Sequence, residues 1–227
     1  MNKWTKSDKL KRFLPSPRRS AREFAMQSLY QLELTGNSQN IIAQHVQEHI
    51  EKEKLNIIGE LKDNIAQIRV IQEDVLAGQS DIHSEQSEQL TQEHHQLMQQ
   101  LEQDLQETIA KLNQIQQSVY ELYEKLFFGA NRHREQYLEM IRPVLDRDVN
   151  ALNPIERSIL LMAMHELSAM PETPYKVVIN EAIELTKTFG GTDSHKYVNG
   201  ILDKLVDVLR PNEPKGKPVK RSKFNKK

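Results

Sequence analysis

The stretch NPIERSILLMAMHELSAMPETPYKVVINEAIELTKTFGGTDSHKYVNGILDKLVDVLRP, residues 153–211, sets the fold class because its punctuation divides it into three helices. Asn153-Pro154-Ile155-Glu156 supplies an N-cap, a proline at N1 and a glutamate at N3, a close relative of the capping box. Ile155, Ile159, Met162 and Ala163 then fall on one stripe. Thr173-Pro174 opens a second helix, and Phe189-Gly190-Gly191 closes it with a glycine at C′. Asp193 can cap a third helix, whose Val198, Ile201, Leu202, Leu205 and Val208 face the core before Pro211 stops it. Three capped helices with short connections make a compact bundle.

Working outward, the segment before it changes character. Met98, Leu101, Leu105, Leu112, Ile115, Val119, Leu122 and Leu126 occupy heptad a and d positions, with Thr108 at a d position. Upstream, Ile58, Leu61, Ile65, Ile68 and Val75 keep the same alternation of three- and four-residue steps. Gly78-Gln79-Ser80-Asp81 interrupts it. Two heptad arms joined by a polar turn predict an antiparallel coiled-coil hairpin spanning about residues 50–118. Further upstream, Ala21, Phe24, Ala25, Ser28, Leu29 and Leu32 predict a helix that begins near Ser20 and ends at Gly36-Asn37. The expected architecture is all-α: a helical bundle over residues 18–210, interrupted by the hairpin and flanked by basic tails at 1–17 and 211–227. The second tail has no apolar periodicity and reads as disordered.

The net charge of −1 hides a segregation. Residues 1–22 carry eight Lys or Arg against Asp8, a net +7, and residues 210–227 carry eight against Glu213, again +7. Residues 40–127 hold sixteen acids and six bases, a net −10. Basic ends suit a polyanion, although two solvated tails would look the same. Arg18, Arg19 and Arg22 stand before and within the first turn of their helix, where the macrodipole disfavours cations. That placement points to an anionic ligand, and the planar guanidinium fork suits phosphate oxygens. Asp193, Ser194, Lys196 and Tyr197 form a second candidate surface: a helix N-terminus with a charge and a ring for base stacking. Asp193 could equally be a plain N-cap, and Tyr197 could belong to the core. Asn180 and Glu181, a polar pair in an apolar helix, read as structural.

Chemistry finds little support. The chain has no cysteine, which excludes disulfides, thiolate metal sites and cysteine nucleophiles. His165-Glu166 is half a zincin motif without its second histidine. His94-His95 read as solvent-facing and His195 as a helix-start residue. No glycine-rich phosphate loop is present. No cofactor and no metal is expected, and the chain reads as non-catalytic. With no signal-like h-region and no membrane-length apolar run, it reads as cytoplasmic.

Several of these stretches resemble one family. PYKVVINEAIELTKTFGGTDSHKYVNGILDKL, residues 174–205, resembles the C-terminal signature of the NusB family, bacterial transcription antitermination factors. RRSAREFAMQSLYQLEL, residues 18–34, is similar to its arginine-rich first helix, and YEKLFFG and AMHELSAMPETPYKV also resemble family elements. The heptad arms have no counterpart in a typical short member. The resemblance implies a helical fold of two packed bundles. It implies binding to boxA RNA in nascent ribosomal transcripts, jointly with the small ribosomal protein NusE, on elongating RNA polymerase. It raises the RNA-binding role of the segment at Asp193–Tyr197, and it places Glu156 at the RNA and partner-protein surface, where a glutamate at N3 needs no further purpose. A rival reading makes the hairpin a coiled-coil scaffold and the rest its anchor. A third is a homodimer that hides its basic surface.

Overall fold

The computed structural model describes residues 16–77, 84–146 and 148–213, and every regular element among them is helical. The Gly78–Asp81 turn, the side chain of Val75 and the basic tails at 1–15 and 214–227 lie outside the described residues. Seven α-helices are described: α1 (Pro17–Thr35), α2 (Gln39–Ala77), α3 (Ser84–Arg132), α4 (Arg134–Ile141), α5 (Pro154–Ala169), α6 (Tyr175–Phe189) and α7 (Ser194–Leu209), with 3-10 turns at Arg142–Val144 and Val149–Ala151. Two compact units divide at residues 125 and 126, inside α3.

The first unit contains α1, α2 and most of α3. α1 starts at Pro17, three residues before the expected Ser20, because the fixed φ of proline at N1 favours helix entry. It ends as expected at Gly36, whose φ of 66° is left-handed. Ala21, Ala25, Met26 and Leu29 are buried, as are Ile42, Ala43 and Ile50 of α2 and Leu112, Val119 and Tyr123 of α3. Tyr123 is fully buried, and its hydroxyl shares a 3.2 Å hydrogen bond with Ser28 Oγ. Burial pushes that hydroxyl's pKa well above the usual range.

In the long arms of α2 and α3 the predicted heptad positions form the less exposed face. Met98, Leu112, Val119 and Leu126 are buried, and Leu101, Leu105, Thr108, Ile115 and Leu122 are half-buried. On α2 the same face holds Ile58, Leu61 and Ile65, while Ile68 is already 39% exposed towards the far end. Glu51 accepts a 2.5 Å hydrogen bond from Gln116, and Arg69 pairs with Glu102 at 2.5 Å further out, so the arms run antiparallel. Both arms are continuous with the helices that begin at Gln39 and end at Arg132.

The second unit is organised around α5. Ser158 through Leu167 are all buried, which is every face of the helix and not the single stripe expected from sequence. α6 and α7 pack on α5 and on each other, and α4 packs on α5 and α7. Asn153 caps α5, its Oδ1 accepting from Ile155 N at 2.9 Å. The other end is held from a distance. The Arg210 guanidinium donates to the carbonyls of Glu166 and Leu167 in the last turn of α5 and of Met170 and Pro171 just beyond it, adding to the backbone bonds that Glu166 O and Met170 O already accept from Met170 N and Thr173 N. Arg210 also pairs with Glu213 at 3.0 Å, and Glu213 Oε1 accepts from Tyr175 N, capping α6.

Three sequence expectations change here. Val208 is 67% exposed and the core stripe of α7 closes through Val206 instead. Gly190 ends α6 in an extended conformation (φ −87°, ψ 176°), not a left-handed one; a Cβ there would lie 2.6 Å from Thr186 O, so close approach requires the glycine. Asn180 is exposed on α6, so it does not tie neighbouring elements together.

Gly129 carries a similar steric demand. Its Cα faces the His165 ring, and an added Cβ would fall 1.9 Å from Nε2. The ring cannot easily retreat, because its Nδ1 shares a 3.0 Å hydrogen bond with the Tyr137 hydroxyl and it stacks on His133 at 5.7 Å. Gly129→Ala is therefore expected to destabilise the protein by about 1–3 kcal/mol through overpacking, although alanine favours helices intrinsically. Chemical denaturation measures this, and an unchanged or raised midpoint would contradict it.

Candidate functional site

The surface around the start of α7 is built by a loop and two distant carboxylates. After Gly190 the chain passes Gly191 and Thr192 to Asp193, whose φ of 66° is the left-handed value among the described non-glycine residues. Aspartate tolerates that region better than most side chains. Asp193 occupies the N-cap position, but its side chain caps no backbone N–H. Its Oδ1 pairs with Lys196 Nζ at 2.6 Å, and the hydrogen bond and charge of Lys196 hold the carboxyl pKa below its ordinary value.

Ser194 and Tyr197 reach across to other elements. Ser194 Oγ donates to Glu156 Oε1 at 2.6 Å, joining the first turns of α7 and α5. Glu156 is only 6% exposed, so the glutamate at N3 is occupied in holding two helices together. Tyr197 is half-buried, its hydroxyl donating to Asp146 Oδ1 at 3.0 Å. The ring is therefore neither core nor loose. Lys204 Nζ donates to Val144 O, a second tie between α7 and the segment carrying Asp146. Asp146, Glu156, Thr192, Asp193, Ser194 and Tyr197 line an open depression of about 300 Å³.

Three carboxylates and three hydroxyls give this depression acceptor character, with Lys196 at its margin. Such a lining repels phosphate and favours groups that donate hydrogen bonds. Asp146 and Thr192 escaped the sequence reading: Asp146 lies 51 residues from Tyr197 in the chain, and no local pattern announces the pairing.

The basic surface belongs to the first unit. Arg18 is exposed and Arg19 half-buried in the first turn of α1, which contains no acid to offset them. Arg22 is different. It is only 3% exposed, and its Nη1 donates to Arg18 O at 3.3 Å. Among the described residues no cluster of three or more metal-ligating side chains occurs, and no helix is long and apolar enough to cross a membrane.

The NusB family model matches residues 78–207, more than half of the chain. The chain belongs to the NusB family. The match takes in the second heptad arm as well as α4–α7, and it starts well after α1. Transcription antitermination protein NusB of Neisseria meningitidis serogroup B is 61% identical over 109 residues, covering 48% of this chain and 77% of that protein. NusB of Burkholderia vietnamiensis is 55% identical over 93 residues, covering 41% and 64% respectively. A T. maritima NusB structure covers 86% of this chain and 93% of its own at 21% identity, with a TM-score of 0.49. The Neisseria relative puts the NusB-family chain among transcription antitermination factors.

The Ser194–Glu156 contact can be tested apart from any ligand. A double-mutant cycle with Ser194→Ala and Glu156→Gln, read by thermal or urea unfolding, should give a coupling of about 1 kcal/mol. Strict additivity would show that the hydrogen bond contributes nothing to holding the helices.

Proposed function

We propose that this chain binds boxA-type RNA in nascent ribosomal transcripts together with the small ribosomal protein NusE, and acts on elongating RNA polymerase as a non-catalytic antitermination factor. Family membership supports the antitermination role. The observation carrying the RNA reading is the Tyr197 ring, fixed at a helix start by Asp146 beside a depression lined with acceptors. One base stacks on that ring, and the neighbouring carboxylates accept from base amino groups, as aspartate and glutamate do from cytosine N4. Phosphates are received elsewhere, at Lys196 and at the exposed arginine turn of α1. Glu156 serves this site as a support, through Ser194, beneath the surface that meets the protein partner.

Tyr197→Ala should weaken binding of a boxA oligonucleotide by about 1–3 kcal/mol. Tyr197→Phe should keep most of the affinity, since the stacking face survives without the tie to Asp146. Unchanged affinity per folded molecule in the alanine variant, measured by fluorescence anisotropy, would remove the ring from the site.

The arginines separate by burial. Replacing Arg18 and Arg19 with glutamine should flatten the dependence of log affinity on log salt by roughly 0.7 for each phosphate left unneutralised, with the fold unaffected. Arg22→Gln should lower stability, because the guanidinium is buried. The control is truncation after Glu213, which keeps the α6 cap and should weaken boxA and scrambled RNA alike. Equal weakening on both RNAs for the Arg18/Arg19 variant, or an unchanged slope, would tell against a defined site on α1.

A further inference from the structure

A groove of about 330 Å³ opens in the first unit beside the base of the hairpin, remote in sequence from the RNA-binding residues proposed on α7. Its floor is apolar: Phe24 of α1, Ile50 and Ile57 of α2, and Leu112, Ile115 and Val119 of α3. Its rim is acidic in effect. Glu23 and Glu53 line it, with Gln27 at 3.3 Å from the first and His49 at 3.4 Å from the second, and Lys54, the rim's lysine, is engaged by Glu51 at 2.6 Å. Pro17, the first residue of α1, also lines it. The chain therefore enters α1 from the groove's own edge.

The sequence immediately before Pro17 has matching chemistry. KLKRFLPS, residues 9–16, places Phe13 and Leu14 four and three residues before Pro17, with Lys9, Lys11 and Arg12 next to them. Three to four residues reach at most about 10–14 Å, enough to enter a groove that starts at Pro17 and too short to reach far beyond it. Two large apolar side chains fit the floor, and three cations complement a rim with two carboxylates. Tethering makes the local concentration of this segment far higher than that of any free peptide.

We propose that the groove is the docking site of the chain's own Phe13 and Leu14, which fasten the N-terminal segment across α1 and the base of the hairpin. The strap removes apolar surface of both arms from water and holds Lys11 and Arg12 beside Glu23 and Glu53.

The absence of cysteine gives a clean test. In full-length protein, Leu14→Cys combined with Ile57→Cys should form a disulfide within one chain under mild oxidation. Leu14→Cys combined with Leu97→Cys, on an exposed part of the outer arm, should not. Peptide mapping and non-reducing gels read both. Equal yields for the two pairs overturn the proposal, and so does a disulfide formed only between chains, which assigns the groove to a second copy. A full-length Phe13→Ser/Leu14→Ser variant gives an independent reading that leaves the groove residues intact. Its emission with an apolar-surface dye should rise several-fold at unchanged helicity, and equal emission from the parent and the variant overturns the proposal.

Discussion

A helix that is apolar on every side has to be enclosed, and α5 imposes that requirement on the second unit. Ten consecutive buried residues, Ser158–Leu167, leave no face for water, so α4, α6 and α7 are each committed to covering it. Fully burying a leucine, isoleucine or methionine contributes about 1.5–3 kcal/mol, which makes enclosure the dominant favourable term for this unit. Enclosure leaves the helix ends to be satisfied by side chains. Asn153 caps the start of α5, and α7 braces both ends: Ser194, at its start, joins Glu156, and Arg210, just past its end, donates to carbonyls in and after the last turn of α5. α7 consequently runs parallel to α5, with the antiparallel α6 between them in sequence.

The same latches give the candidate site its geometry. Because Ser194 is held by Glu156 and Tyr197 by Asp146, the first turn of α7 presents its side chains from fixed positions, which lowers the entropy lost when a ligand is ordered. The site's charge is as informative as its shape. A surface intended only to attract a polyanion would be basic, whereas this depression is lined by Asp146, Glu156 and Asp193. Under the proposed function, attraction and discrimination are divided between different residues, the former with exposed cations and the latter with acceptors that can tell one base edge from another.

Periodic features were the most legible in sequence. The heptad stripe from Met98 to Leu126 is the face that α3 buries, and Asn153-Pro154, Gly36 and the start of α7 all mark real helix ends. Features resting on contacts between distant residues were not legible. Nothing near Glu156 reports that Ser194 lies 2.6 Å away, and nothing near Arg22 distinguishes its buried guanidinium from those of Arg18 and Arg19. Asp193 shows the limit most clearly. Its position at the start of a helix was readable, but its left-handed backbone turns the carboxylate from capping to pairing with Lys196. α4 went unread because eight residues give too little periodicity to stand out from the end of α3.

The two latched helices also act as a ruler. α5 and α7 are each sixteen residues long, and matching latches at both ends fix that equality. One residue more or fewer in either would shift an end by about 1.5 Å and swing it by about 100°, carrying Ser194 or Arg210 away from its partner. The hairpin has no such gauge. Its contacts repeat along the arms, so adding or removing seven residues in each arm returns the same face to the same neighbour. Variation in chain length has an outlet in α2 and α3 that the second unit denies it.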